Sequence, residues 1–387
     1  MPGAGFARLR ATHQTLPLTG GWWRTRAGAS HVAQRTILHE LGLHEPRILP
    51  DGSQAWRPSA AFLSAALDPN EQQPHADCSV VLPSQLDDDS RALIEDLLAA
   101  IAAQAAPAPR PPEWMAILNL TPDSFSDGGS LDAPEAVLAQ ARTAVEQGAS
   151  WLDLGAESTR PGAAAIPAED QLQRLLPAIE LLLPLGVPLS IDTRSAQVAD
   201  ACLSAGARMI NDVSGLADPE MAAVCARHQS WLTLMHMRGV PETMQEHCTY
   251  SFVLGEVADE LAPRAAAALE AGVAAERLML DPGIGFAKTA QQSRSLLAQV
   301  GSLRALGLAL LVGPSRKSFQ AELLPERAAA DRDCGTAGAA SSCIHQGVTT
   351  LRLHSGQFWD AGHVAAGIFA AAPHPALPPG EPLDVTG

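Results

Sequence analysis

Residues 115–121 read MAILNLT, and strings of the same kind return along the chain: WLDLGAE from Trp151, PLSIDT from Pro188, RMINDVSG from Arg208, WLTLMHM from Trp231, LMLDPG from Leu278, LALLVGP from Leu308 and TTLRLHS from Thr349. Each is a short apolar run followed by polar or glycine-containing residues, as expected of a strand buried on both faces. Ala-rich helical patterns fill the gaps, at 134–147, 168–183, 196–205, 252–271 and 335–346. Eight strand–helix units over about 260 residues have the size and count of a (β/α)8 TIM barrel. A doubly wound open sheet is the rival that periodicity alone does not exclude.

The polar residues sit at the ends of these runs. Asn119, Glu157, Asp192, Asn211, Asp212, His236, Asp281, Ser315, Arg316, Lys317, Arg352 and His354 all fall at or just past a strand's C-terminal end. In a barrel those ends open on one face, where catalytic sites are assembled from several loops. Stability alone would not concentrate chemistry there.

Outward from this core, residues 104–113 read QAAPAPRPPE, a Pro/Ala run that behaves as a stiff spacer. It divides the chain into a leading segment, 1–103, a linker, 104–113, a barrel, 114–373, and a tail, 374–387. The leading segment is expected to be a small α/β accessory domain of unread role. GGWWRTRAG from Gly20 reads as a turn between strands, with Trp22 and Trp23 in a small core; CSVVLP from Cys78 reads as a strand, and LDDDSRALIEDLLAAIAAQ from Leu86 as a helix.

The 387 residues carry a formal net charge of -16, which disfavours nucleic acid and anionic membranes as partners. A local cluster of Arg and Lys can still hold a small anion. The six cysteines are scattered without a C-x-x-C pair, which points to free thiols in a reducing compartment. With no apolar stretch of about 18 residues and no signal-like start, a cytoplasmic location is expected.

Three loops and several strand ends carry the chemistry. Residues 119–129, NLTPDSFSDGG, form a long loop with oxygen ligands and backbone freedom, although a Pro-Asp turn would also suit it. In ESTRPGA, 157–163, Arg160 sits among small and rigid residues, where a guanidinium can grip phosphate with two prongs. Asp192, Asn211 and Asp281 at a narrow mouth are costly to bury unless paired or bound to a ligand. A heterocycle with amino and ring N–H groups would satisfy them; so would internal ion pairs. GPSRKSF, 313–319, resembles a phosphate-handling string but is not a P-loop. Arg352 and His354 alternate to the same side of their strand and could join Arg160 in a cationic cup.

NLTPDSFSDGG, GAESTRPGA, SIDT, INDVSG, LMHMRG, DPGIGF and GPSRKSF, in this order, closely resemble the dihydropteroate synthases, over about residues 114–372. The resemblance implies a transferase of folate biosynthesis. It would condense 6-hydroxymethyl-7,8-dihydropterin pyrophosphate with 4-aminobenzoate to give 7,8-dihydropteroate and pyrophosphate, with Mg2+ and as a homodimer. It implies that Asn119 meets the metal ion riding on the pyrophosphate. Asp192, Asn211, Met235, Asp281 and Lys317 would bind the pterin, and Arg160, Arg352 and His354 the pyrophosphate. Phe125, Thr159, Pro161 and Ser318 would shape the 4-aminobenzoate site. Asp127, Lys317 and Arg160 would be the catalytic groups, Asp127 from the mobile first loop.

Two positions depart from the family's usual pattern. Ser355 stands where an Asp commonly follows the His, which questions how His354 is oriented. Ala287 stands where a Gly commonly follows DPGIGF, and is expected to need a negative φ or local relief. The alternatives are a methyltetrahydrofolate-binding methyltransferase, which would not need the SRKS string or the Arg352–His354 pair, and a non-catalytic pterin-binding homologue.

Overall fold

The barrel is closed by its first and last strands. In the computed structural model, β5 (Glu113–Asn119) pairs in parallel with β12 (Thr350–Leu353), setting Leu351 opposite Trp114 and Arg352 opposite Met115. Around the ring follow β6 (Trp151–Gly155), β7 (Leu189–Asp192), β8 (Met209–Asp212), β9 (Trp231–Met235), β10 (Leu278–Asp281) and β11 (Ala309–Val312), every pair parallel. Closure excludes the open-sheet rival. The structure describes residues 112–120, 133–328, 332–356, 359–360 and 364, and four short strands ahead of them. CSVVLP, the helix expected from Leu86, and most of the first loop, with Phe125 and Asp127, lie outside the described residues.

The expected helices are present, at Ala133–Glu146, Ala168–Leu182, Ala196–Ser204, Val253–Glu270 and Asp333–His345. Met221–Arg227, Ala290–Ala298 and Ser318–Leu323 add three more, too short for a strong periodic signal. Ala290–Ala298 is opened by a full capping box: Thr289 accepts from the Gln292 backbone N–H, and the Gln292 side chain accepts from the Thr289 N–H.

The strands are buried on both faces, but the two faces differ. Residues pointing outward, such as Leu118, Leu152, Ile191, Ile210, Leu234, Leu280, Leu310 and Leu351, join the helices in one apolar core. Residues pointing inward form a separate floor of Met115, Trp151, Met209, Met279 and Leu311, with Trp231 edge-on to Trp151 at 6.1 Å between ring centroids. Above that floor the inner face turns polar. An inward polar layer is tolerable in a barrel only because its groups satisfy one another or face the open end.

In the leading segment, β1 (Thr15–Pro17), β2 (Trp23–Thr25), β3 (Arg47–Ile48) and β4 (Gln54–Trp56) form an antiparallel sheet in the order β1-β2-β4-β3. Trp23–Thr25 is thus a strand, paired with β1 and β4, and not the turn that its Gly-Gly start suggested. No helix among the described residues is long and apolar enough to cross a membrane.

Candidate active site

Strand period and pleat bring the expected carboxylates and amide to one wall of the mouth. Asp192 on β7, Asn211 on β8 and Asp281 on β10 are all nearly fully buried. Burial pushes the Asp192 carboxyl up to about 7; the Arg352 charge opposes this, and the Asp153, Glu157 and Asp212 charges add to it. Burial likewise raises Asp281 to about 6, against the Gly283 N–H, Lys317, Lys288 and Arg352. Gly283 donates its N–H to Asp281 Oδ1 at 2.7 Å. Only glycine fits there: with φ +68, an added Cβ would sit 2.0 Å from the His236 carbonyl oxygen. Asn211 Oδ1 is buried and finds no hydrogen-bond partner among the described residues. A buried acceptor left so costs about 1–3 kcal/mol unless a ligand donor reaches it.

Arg352 is more than the phosphate clamp expected of it. Its Nε donates to Asp153 Oδ2 at 2.6 Å and its Nη2 to Asp192 Oδ2 at 2.9 Å. Asp153, fully buried one pleat below the mouth, also accepts from Ser190 Oγ at 2.6 Å and Asn211 Nδ2 at 3.4 Å. It therefore fixes three groups of the wall at once. Sequence reasoning passed over Asp153, although its spacing of two from Trp151 and from Gly155 already put it on the inner face.

Cations occupy the opposite wall. Lys317, on the loop after β11, holds its ammonium 4.1 Å from the centroid of the Phe286 ring. Burial lowers it to about 8, with Arg352 adding to the fall. Phe286 was not singled out from DPGIGF, yet it lies beside Met235 in a cluster with Val213, Met237, Met244 and Ala287. His354 is surrounded by charge: burial first, then Arg316, Arg352, Lys317 and Arg160, hold its pKa down to about 3. The expected cationic cup is thus corrected at one member. In the ligand-free site His354 is a neutral imidazole, because its partial burial and the four cations around it make protonation unfavourable. Its Nδ1 lies 2.8 Å from Ser315 Oγ, so Ser315 orients it where the family's usual Asp is replaced by Ser355.

Arg160, Thr159 and Pro161 stand on the loop after β6, Arg160 and Pro161 exposed and Thr159 half-buried; Ser318 is exposed at the start of Ser318–Leu323. These loops leave the same end of the barrel. The Arg160 loop is fastened from below. Glu157 accepts from Arg194 Nε and Nη2 at 3.1 and 2.7 Å and from the Ile166 N–H at 3.2 Å, while Gly162 N–H donates to the Pro241 carbonyl at 3.0 Å. Glu157 and Asp212 are therefore structural. Asp212 accepts from Ser214 N–H and Oγ and from Leu216 N–H at 2.6–2.9 Å, closing the turn after β8.

His236 is also turned away from the mouth. It sits behind β10, fully buried, with Nε2 3.1 Å from Glu260 and Nδ1 2.9 Å from the Lys288 ammonium. Lys288 also donates to the Phe286 carbonyl at 2.9 Å. Burial drives Lys288 down to about 7 and His236 down to about 4. Glu260 in turn pairs with Arg238, whose guanidinium stacks 3.9 Å from the Tyr250 ring centroid. This network braces the loop that carries Asp281 and Phe286. Ala287 in that loop adopts φ +49, so of the two alternatives expected the negative φ is not met and local relief is needed. The loop's bonds at Gly283 and Phe286 hold the strained backbone, and the Ala287 methyl is fully buried in the Met235 cluster.

Asn119 ends β5 beside Gly155, where an added Cβ would lie 3.8 Å from both Asn119 Oδ1 and Asp192 Oδ2. Among the described residues no group of three or more His, Cys, Asp or Glu side chains could hold a metal ion. One amide oxygen suits a Mg2+ whose other ligands are phosphate oxygens and water, the usual manner of that ion.

Residues 115–354 match the family described as pterin binding enzyme. The chain is 45% identical over 242 residues to the dihydropteroate synthase of a Synechocystis species, covering 62% of this chain and 84% of that one. It is 41% identical over 247 residues to the dihydropteroate synthase of Neisseria meningitidis serogroup C, covering 63% and 87%. The structure resembles that of the Xanthomonas albilineans dihydropteroate synthase with 4-aminobenzoic acid, with a TM-score of 0.64 and 39% identity over 68% of this chain and 94% of that one. The same enzyme in complex with 7,8-dihydropteroate gives a TM-score of 0.61 and 36% identity, over 68% and 95%.

Proposed function

On the premise that this chain belongs to the pterin binding enzymes, as a dihydropteroate synthase, we propose how its site performs the condensation of a pterin pyrophosphate with 4-aminobenzoate. The observation that carries the reading is the split mouth: hydrogen-bond acceptors on β7, β8 and β10, one of them orphaned, face cations from β6, β11 and β12. A pterin presents amino and ring N–H donors to Asp192, Asn211 and Asp281, and its ring packs against the Met235 cluster. Lys317 donates to the ring oxygen. Arg160, Arg352 and His354 then meet the pyrophosphate.

The bond from the pterin methylene to the pyrophosphate oxygen breaks, and its electron pair leaves with the oxygen. The aniline nitrogen donates its lone pair to the same carbon from the opposite side and afterwards loses a proton. Preorganised donors stabilise the departing anion at no reorganisation cost. Mg2+, met by Asn119, would supply further charge neutralisation to the pyrophosphate. Thr159, Pro161 and Ser318 would position 4-aminobenzoate at the rim, and closure of the loops after β5 and β6 would exclude water, a competing nucleophile. Asp127 and Phe125 would act from the first of those loops.

The test is direct. Protein incubated with the pterin pyrophosphate, 4-aminobenzoate and Mg2+ should yield dihydropteroate and pyrophosphate. A methyltransferase would yield neither; a non-catalytic homologue would bind pterin without turnover.

A further inference from the structure

We propose that Ser315 is a positioning residue for this reaction: its hydroxyl holds His354 in the tautomer protonated at Nε2, so that the ring meets the leaving pyrophosphate as a neutral hydrogen-bond donor. The inference rests on the assignment of His354 to the pyrophosphate. Its basis is the 2.8 Å contact between Ser315 Oγ and His354 Nδ1, which joins residues from the β11 loop and the end of β12.

Ser315 is delivered from a fixed backbone. It is 5% exposed. Gln320 Nε2 donates to the Pro314 carbonyl at 2.9 Å and to Thr336 Oγ1 at 3.1 Å, and the Arg316 N–H donates to Thr336 Oγ1 at 3.4 Å. Arg316 holds φ +57, a left-handed conformation that a non-glycine residue keeps only when its surroundings impose it. The backbone that carries the hydroxyl is thus held in place beside the ring.

A neutral imidazole has one N–H and one bare nitrogen. If Nδ1–H donates to Ser315, Nε2 turns a lone pair toward an arriving anion, which is repulsive. If Ser315 O–H donates to Nδ1, Nε2–H is free to donate. A doubly protonated ring would escape this choice, but in the ligand-free site burial and the cations Arg316, Arg352, Lys317 and Arg160 keep it neutral, so the tautomer is set before the anion arrives. The donor at Nδ1 therefore decides what the other nitrogen can do.

The ring nitrogens can be read by 15N NMR of the full chain, with His354 identified by its loss in His354→Gln. At pH 7 the unaltered protein should show one tautomer, Nε2–H. Ser315→Ala should show a mixture, with KM for the pterin pyrophosphate raised about 3- to 10-fold, as for one hydrogen bond, and kcat changed less. Ser315→Thr, which restores the hydroxyl, should restore both tautomer and KM, whereas a general packing defect would not be rescued this way. An Nδ1–H tautomer in the unaltered protein, or a Ser315→Ala ring unchanged from it, overturns the role of Ser315 alone. A pyrophosphate Kd unchanged in His354→Gln overturns the assignment of His354 and the use made of its tautomer.

Discussion

The floor and the mouth of the barrel are built from the same strands, two residues apart, with opposite chemistry. Trp151 and Asp153 share β6, Met209 and Asn211 share β8, and Met279 and Asp281 share β10. All six are buried. Along one inner wall the chain thus passes within a pleat from a sulfur-and-aromatic plug to a charged lattice. The floor needs nothing outside itself; the mouth carries carboxylates pushed up by burial and an amide oxygen without a partner. Stability is concentrated below and left incomplete above, where a ligand can complete it.

The severest way to break that division is Asp153→Ala. It deprives Arg352, Ser190 and Asn211 of a shared partner and leaves a half-buried guanidinium held by Asp192 alone. Unfolding in urea should show a loss of about 3–5 kcal/mol, and pterin binding should fail with it. Intact pterin affinity would mean that the lattice is not one unit. Met279→Ala should cost nearly as much, about 2–5 kcal/mol through the cavity it opens, yet leave kcat/KM within about twofold for the protein that remains folded. A folded Met279→Ala protein unable to bind pterin would show that floor and mouth are coupled.

Asp192→Asn sharpens the contrast through pH. Burial raises the folded-state pKa of Asp192 from 3.8 to about 7. Between those values the native protein holds a proton that the unfolded chain has released, so the Asp192 contribution to stability falls as pH rises through that window. Above pH 7 the ionised carboxylate is a standing cost. Asn removes it: the ligand-free variant should be more stable by about 1–3 kcal/mol at pH 8, no different at pH 3.5, and defective in pterin binding at both. A variant less stable at pH 8 would show that Arg352 needs Asp192 more than burial opposes it. The smallest effect belongs to Ala287→Gly, which relieves φ +49 but removes a buried methyl from the Met235 cluster. The two offset, and the thermal midpoint should reflect a change below about 1 kcal/mol. A larger loss would mean that the methyl itself shapes the pterin wall.

Much of this barrel was legible because strand and helix periods are written locally. The eight apolar runs, their polar ends and the ordered motifs gave the strands, the face and the family before any contact was known. Asp192, Asn211, Asp281, Lys317, Arg352 and His354 do converge, as their places at strand ends required. Phe286 was present in a quoted motif and missed because an apolar residue after Gly-Ile-Gly gives no chemical signal. Lys288 was missed because a lysine in a loop reads as a solvated charge, whereas here it is 2% exposed.

The sequence alone therefore settled which residues of each apolar run share a face, since the pleat alternates every residue. Only the tertiary structure decided which charges answer each other. Asp153 and Arg352 are 199 residues apart and meet at 2.6 Å; Ser315 and His354, 39 apart, meet at 2.8 Å. Other such pairings make Glu157 and Asp212 structural, while burial leaves Asp192 and Asp281 reluctant to ionise and, with the cations around it, keeps His354 neutral. Ionisation and pairing depend on burial and on charges a few ångströms away, and no local pattern in the chain records what closure of the barrel will bring there.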